Sequence, residues 1–216
     1  MIPYGTFTFF LIAFIVLIPV IILGFLGKRS YIYNGISTAI MIVIIFASDK
    51  HNLLGQKYLS AQLFCFIIYV IWQVALIMYY YQSRQKKNTF TKFVTIMVLS
   101  ILPLAIVKIL QSSWLGGHQI HFHESKLIEF VGFLGISYVT FKSVQLIMEI
   151  RDGSIKEIKV GKLIQFISFF PTISSGPIDR YKRFVKDDKK VPSGAEYREL
   201  VVKAIHMIML GFLYKY

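Results

Sequence analysis

Long apolar runs limit what this chain can fold into more than any other feature of its sequence. The hydrocarbon core of a bilayer is about 30 Å thick, so a crossing helix needs about 20 apolar residues at 1.5 Å each. Apolar residues make up 56% of the chain, more than in ordinary soluble domains. The sequence therefore predicts an all-α, polytopic integral membrane protein. We predict spans at 7–26, 31–47, 59–81, 93–110 and 127–150, and the start of another at 201–216.

The charges between the apolar runs predict the orientation of the chain. Cytoplasmic loops of membrane proteins are enriched in Lys and Arg. Such residues follow the third and fifth runs, at Arg84, Lys86, Lys87, Lys92, Arg151, Lys156, Lys159 and Lys162. These loops are therefore placed inside the cell and the N-terminus outside. Orientation also explains the net charge of +13, so we expect no nucleic-acid partner.

Residues 163–178 read LIQFISFFPTISSGPI, and they begin apolar but are interrupted by Pro171, Gly176 and Pro177. Basic residues flank both ends, so both ends are placed in the cytoplasm. We predict a re-entrant segment, which enters the membrane and returns to the side it came from. Non-helical backbone at that depth must be buried in protein or line a wet cavity, so a cavity is implied. The alternative is an amphipathic helix lying on the inner surface.

Residues 179–200 carry charges of both signs and are predicted to be a cytoplasmic linker. One interpretation is a solvated segment that contacts anionic lipid. The other is a docking surface for an acidic soluble partner. At the end of the linker, Ser193 followed by Glu196 predicts the capped start of the next helix.

Four polar residues of the fifth run are spaced to share one face of a helix. Tyr138, Lys142, Gln145 and Glu149 follow one another at i, i+4, i+7 and i+11. Ionisable side chains at membrane depth usually face protein or water, pair with one another and mark function. We predict that Lys142 and Glu149 hold this helix in place, with Glu149 as the partner of Lys142. An ion pair of Lys142 that only locks helix packing is the structural alternative.

The histidines do not form a recognisable catalytic or metal-binding motif. His118, His121, His123 and Glu124 lie in one outer loop, but their spacing matches no regular zinc site, and we predict no metal. His206, in the last apolar run, is expected to be a packed neutral imidazole. Motifs of soluble enzymes such as a Walker loop, GxSxG or HExxH are not present in the sequence.

Two strings carry a resemblance to a known family. VGFLGISYVTFKSVQLIMEIRDG (131–153) and FISFFPTISSGPIDRYKRF (166–184) together resemble the paired signature of the membrane-bound O-acyltransferases. The resemblance implies a ring of helices around a thin floor, with a narrow passage between the cytoplasm and an outer funnel. It also implies transfer of D-alanine towards lipoteichoic acid outside the cell. The donor would be the phosphopantetheine thioester of a small acidic carrier protein, with no cofactor bound to this chain and with further membrane proteins as partners.

The chain departs from the family in one important respect. Family members are longer, and their essential histidine follows the Gly-Pro segment at a distance that places it beyond Tyr216. The catalytic residue is therefore unknown here, and the chain is interpreted as an N-terminal portion. We expect the following residues to shape the re-entrant floor: Pro171, Ser174, Ser175, Gly176, Pro177, Asp179 and Arg180.

Two other functions use the same features. An O-acetyltransferase of an exported polysaccharide would share the family architecture but take an acetyl donor. A small-solute transporter or channel would line its path with the polar face of the fifth run, and would conduct without a carrier protein. A purely structural subunit is a further alternative.

Overall fold

A computed structural model describes residues 7–28, 31–47, 57–86, 89–111, 134–173 and 179–215. Within these ranges the chain forms α-helices and one 3-10 turn, and no strand, which confirms the all-α class. The helices are α1 (Phe7–Phe25), α2 (Tyr31–Ala47), α3 (Lys57–Lys86), α4 (Phe90–Gln111), α5 (Ile136–Arg151), α6 (Val160–Ser168), α7 (Tyr181–Lys189) and α8 (Gly194–Lys215). The 3-10 turn, Phe170–Thr172, follows α6.

The first four helices coincide with the first four predicted apolar runs. Three stretches are long and apolar enough to cross a membrane: Phe7–Phe25, Gln62–Lys86 and Phe90–Ile109. Helix α2 is apolar over Tyr31–Phe46 but shorter. Of the residues in α1, Phe9 is buried and most others are exposed, as expected for a helix surrounded by lipid. Three such helices support the prediction of a membrane protein.

Helix α5 packs against α3, α4 and α6 and forms the centre of the described helices. It has 16 residues and starts at Ile136, whereas the predicted span starts at Leu127. Gly135, the residue before the helix, has a φ of +94°. This left-handed conformation is not helical and is rarely adopted by residues with a side chain, so the helix can begin only after it. A Cβ at this glycine would also overlap the carbonyl oxygen of Ile173. Residues 127–133 lie outside the described ranges.

Polar side chains in the middle of apolar helices join α3 to α4 and α5. Gln73 Nε2 donates to the Tyr69 hydroxyl at 2.8 Å and to the Ser100 carbonyl at 3.0 Å. The Ser100 hydroxyl donates to Gln73 Oε1 at 2.8 Å, and Tyr69 and Thr140 share a hydrogen bond of 2.6 Å. These four side chains are thus paired inside the bundle, as buried polar groups in an apolar environment require.

Helix α4 contains Pro103, which cannot donate a helical hydrogen bond to the Leu99 carbonyl. The indole nitrogen of Trp72 on α3 donates a long hydrogen bond of 3.5 Å to that carbonyl. A neighbouring helix therefore compensates for the proline, which is the usual way in which proline is tolerated at membrane depth.

The predicted linker 179–200 is largely helical, which its mixed charge did not indicate. Helix α7 buries Tyr181 and half-buries Phe184 and Val185. Burial raises the pKa of the Tyr181 hydroxyl above its ordinary value, because the charged form loses solvation. The opposite face of α7 exposes Lys182 and Lys186. The helix is therefore amphipathic, with an apolar face against the bundle and a cationic face outward.

Helix α8 starts as predicted and packs on α1. The amide N–H of Glu196 donates to the Ser193 hydroxyl at 3.3 Å, which confirms the N-cap. The Glu196 carboxylate accepts a hydrogen bond of 2.5 Å from Lys190 instead of reaching back to the cap. This hydrogen bond lowers the pKa of Glu196 and raises the pKa of Lys190. His206 is exposed on α8, so the expected packed imidazole is wrong.

Candidate functional site at the end of a broken helix

Helix α6 ends inside the bundle after nine residues, at Ser168. Its length corresponds to about 14 Å, roughly half of a hydrocarbon core. Phe169 leaves the helical conformation with φ −56° and ψ 110°, and Pro171 then lacks the N–H that would bond to the Ile167 carbonyl. Because Leu163, Phe166 and Ile167 are buried, the break lies among packed side chains and not at the surface.

Lys142 of α5 supplies the hydrogen bonds that the end of α6 lacks. Its ammonium donates to the carbonyl oxygens of Phe166 at 3.3 Å and Ile167 at 3.4 Å, and to the Thr172 hydroxyl at 2.7 Å. The lysine is 1% exposed and also lies 5.7 Å from the centroid of the Phe166 ring. The C-terminal end of a helix carries unpaired carbonyls and partial negative charge, so a buried cation is stabilised there. Lys142 therefore caps the broken helix.

The predicted pairing of Lys142 with Glu149 is wrong. The two residues are seven positions apart on one helix, a rise of about 10 Å, and Lys142 is directed at α6. Glu149 is half-buried, accepts a hydrogen bond from Gln145 and lies in the electrostatic field of Arg180 and Lys182. One of its carboxylate oxygens is buried without a hydrogen-bond partner among the described residues.

The remaining predicted site residues fall on both sides of the break. Tyr138 and Gln145 are half-buried on α5, and Pro171 lies in the 3-10 turn. Asp179 is half-buried and accepts a hydrogen bond of 2.8 Å from the Arg180 amide. It also lies within electrostatic reach of Lys142. Ser174, Ser175, Gly176 and Pro177 are outside the described ranges, so the predicted floor remains a prediction.

The start of α6 is held as firmly as its end. Lys162 forms an ion pair with Asp188 of α7, and both side chains are mostly buried. The Lys162 ammonium also lies 3.3 Å from the centroid of the Tyr31 ring on α2. Lys162 at the start of α6 and Lys142 at its end therefore connect this short helix to α2, α5 and α7.

Sequence reasoning missed two parts of this arrangement. Thr172, the nearest partner of Lys142, is 30 positions away in the chain, and helical periodicity cannot connect residues across a break. The contact between Gln73 and Ser100 could have been predicted, because an amide and a hydroxyl in long apolar runs need hydrogen-bond partners on other helices.

The site contains the buried cation Lys142 and carbonyl oxygens that are free of helical hydrogen bonds. No group of three His, Cys, Asp or Glu residues that could hold a metal occurs in the described part of the chain. His118, His121, His123 and Glu124 lie outside it. In the described site, Lys142 holds the irregular backbone that follows α6 through its three hydrogen bonds.

No protein-family model matches the sequence. The sequence is 46% identical over 217 aligned positions to a teichoic acid D-alanyltransferase of Bacillus subtilis (strain 168). It is 43% identical to a protein of that name from Lacticaseibacillus rhamnosus and 34% identical to one from Streptococcus thermophilus. These alignments include 99–100% of this chain but 47–51% of the relatives. The chain spans about half the length of the curated relatives it matches, and is similar throughout to that half of three teichoic acid D-alanyltransferases.

Proposed function

We propose that this chain is part of a membrane-bound O-acyltransferase that moves D-alanine from a cytoplasmic carrier-protein thioester towards lipoteichoic acid outside the cell. In this proposal the N-terminus is outside, and the re-entrant floor separates a cytoplasmic face from an outer funnel. The observation that carries the proposal is the identity of 34–46%, over essentially the whole chain, to three teichoic acid D-alanyltransferases.

The broken helix supports a role in forming the passage. Helix α6 starts after Lys159, at the end of a loop assigned to the cytoplasm, carries Lys162 in its first turn and stops after nine residues. A short helix followed by irregular backbone leaves a thin partition, and a thin partition shortens the path that a phosphopantetheine arm must cover. Lys142 would fix the position of that partition by capping α6.

The proposed step exchanges a thioester for an oxygen ester. The carbonyl carbon of the D-alanyl group forms a bond to an acceptor hydroxyl oxygen, its C–S bond breaks, and the proton of that hydroxyl passes to the departing carrier thiolate. A general base with a pKa near the working pH favours such a step, and histidine suits that role. We assign no base within this chain. Residues of this chain act in the proposal by positioning the passage and attracting the donor.

The exposed face of α7 fits an acidic donor. Lys182 and Lys186 are exposed on this face, and Arg183 makes loose contacts of 3.7 Å to Asp179 and Asp187. Positive charge around a docking surface raises the association rate of an acidic partner, and salt weakens that effect. We therefore infer that α7 contributes to carrier docking.

Reversing charge on α7 should weaken donor use without changing the chemical step. We expect Lys182→Glu combined with Lys186→Glu to raise KM for D-alanyl carrier about tenfold at low salt, with kcat nearly unchanged. The matched control is the double Lys→Arg variant, which keeps the charge. Equal KM values for the two double variants would contradict a docking role.

The function itself is tested by comparing donors. The protein, expressed from its complete reading frame and reconstituted in proteoliposomes, is supplied with radiolabelled D-alanyl carrier or with acetyl donors. We expect label from the D-alanyl carrier alone to reach the acceptor. Transfer from acetyl donors alone would favour the polysaccharide O-acetyltransferase. Solute flux in the absence of carrier protein, without acyl transfer, would identify a transporter.

A further inference from the structure

Helix α7 contacts α6 near both of its ends, through the face of α7 that is turned towards the bundle. Tyr181, Phe184 and Asp188 lie at i, i+3 and i+7, so they share one face of the helix. Near the start of α6, Asp188 forms the ion pair with Lys162. Near the end of α6, Phe184 meets the ring of Phe166. Two separate contacts therefore hold α7 on α6.

Phe184 contacts residues on both sides of the point where the backbone leaves α6. Its ring centroid lies 5.4 Å from that of Phe166 and 5.5 Å from that of Phe169, with interplanar angles of 62° and 67°. Phe166 is in the last turn of α6, whereas Phe169 has the non-helical ψ of 110°. Edge-to-face pairs at such distances are favourable and depend on the orientation of the rings. Phe184 thus bridges the break.

The Phe166 ring also connects α7 to the Lys142 cap. Its centroid is 5.7 Å from the Lys142 ammonium, and the carbonyl of the same residue accepts a hydrogen bond of 3.3 Å from that ammonium. Tyr181 packs edge-to-face on this ring, with centroids 5.5 Å apart. Phe166 is 2% exposed, so its ring is closely surrounded. The end of α6 is therefore held from α5 through its carbonyls and from α7 through its side chains.

The place of Phe184 is more informative than the area that it buries. The side chain is half-buried, so it contributes less to stability than a fully buried ring would. Pro171 cannot continue the hydrogen-bond ladder of α6, so the direction of the following backbone depends on side-chain contacts across the break. In a transfer reaction, misplacing the reacting groups by about 1 Å can lower the rate about 100-fold.

We propose that Phe184 is a positioning residue of the transfer reaction: it holds Phe166 and Phe169 and so fixes the place at which the partition begins. The inference rests on the proposed function. The two faces of α7 then have different tasks. The exposed face attracts the donor, whereas the buried face sets where the passage lies. Phe184 acts through the end of α6, without touching the donor or the acceptor.

Single-turnover transfer tests this role. The protein, expressed from its complete reading frame and reconstituted with acceptor in proteoliposomes, is used in excess over radiolabelled D-alanyl carrier, so that all donor is bound. The affinity for carrier is measured separately by fluorescence anisotropy. We expect Phe184→Ala to lower the rate constant about tenfold, with the affinity within about twofold of the parent. A smaller folded fraction would reduce the amount of label transferred or the number of carrier-binding sites, and would leave the rate constant unchanged.

Two further variants show whether the ring itself matters. Phe184→Tyr keeps the ring and should have nearly the rate constant of the parent. Phe90→Ala is the matched control, because Phe90 is an exposed aromatic residue of α4 that also lies near another ring, that of Phe93 at 6.3 Å. It should behave like the parent. If Phe184→Ala does not give monodisperse protein, Phe184→Leu keeps the apolar contact without the ring geometry, and we expect a loss of about threefold.

The inference is overturned if the Phe184 variants and Phe90→Ala have the same single-turnover rate constant. It is also overturned if the loss appears only in the amount of label transferred, which would indicate a role in stability, or only in carrier affinity, which would indicate a role in docking. If the parent itself transfers no label from D-alanyl carrier, the proposed function is wrong and this inference fails with it.

Discussion

Lys142→Met should lower the stability of the detergent-solubilised protein by about 2–3 kcal/mol and, under the proposed function, reduce D-alanyl transfer about 100-fold. Methionine leaves the carbonyl oxygens of Phe166 and Ile167 and the Thr172 hydroxyl without their donor. The variant also no longer buries a charge, and this gain offsets part of the lost stability. The expected loss is therefore smaller than the sum for three unsatisfied polar groups. The measurements are the thermal midpoint in detergent and the transfer rate in proteoliposomes.

Lys108→Met is the matched control, because Lys108 is an exposed lysine near the end of another apolar helix. We expect this variant to change stability by less than about 0.5 kcal/mol. Thr172→Val should have an intermediate effect, since it removes one of the three acceptors but leaves both carbonyls bonded. If Lys142→Met and Lys108→Met behave alike, Lys142 does not cap the broken helix.

Gly135→Ala is expected to be at least as damaging, at about 3 kcal/mol or more. An alanine at φ +94° is strained by about 1–2 kcal/mol, and its Cβ would overlap the carbonyl oxygen of Ile173. The backbone at Gly135 or at Ile173 must therefore move. Either movement would separate the start of α5 from the 3-10 turn. Thermal unfolding of the variant and the parent in detergent measures the loss of stability.

Gly27→Ala separates the effect of backbone strain from the effect of steric overlap. Gly27 also has a positive φ, +62°, but the nearest atom to a Cβ there is the Pro192 carbonyl oxygen at 3.9 Å. We expect this variant to lose only the strain, about 1–2 kcal/mol. Equal losses at the two glycines would mean that the close approach of α5 to Ile173 adds nothing to stability.

Local pattern was sufficient to predict the class and most of the helices. Long apolar runs predicted α1 to α4 because a bilayer imposes one length on every crossing helix. The interruption at Pro171 predicted the place where α6 cannot continue. The isolated charge of Lys142 in an apolar run correctly indicated a buried, partnered residue, because an unpartnered charge at that depth is too costly to retain.

The partner of that charge could not be predicted from spacing. Glu149 was chosen because it shares a helix face with Lys142, but the free carbonyls at the end of α6 compete for the same ammonium. Backbone acceptors have no side-chain signature, so a sequence does not show where they become available. The start of α5 at Ile136 was missed for a related reason, since the conformation of Gly135 depends on the approach of Ile173, 38 positions further along the chain.

The contact between α1 and α8 has a consequence for biogenesis. The Tyr197 ring lies on Gly24 and packs edge-to-face on Phe25 with centroids 5.2 Å apart, so the first helix touches one that is made about 170 residues later. At translation rates of roughly 5–20 residues per second, α1 must wait about 10–35 s in the membrane before this neighbour is synthesised. A helix that waits that long must be stable in lipid alone. The uncharged and largely apolar surface of α1 meets that requirement during assembly as well as in the finished protein.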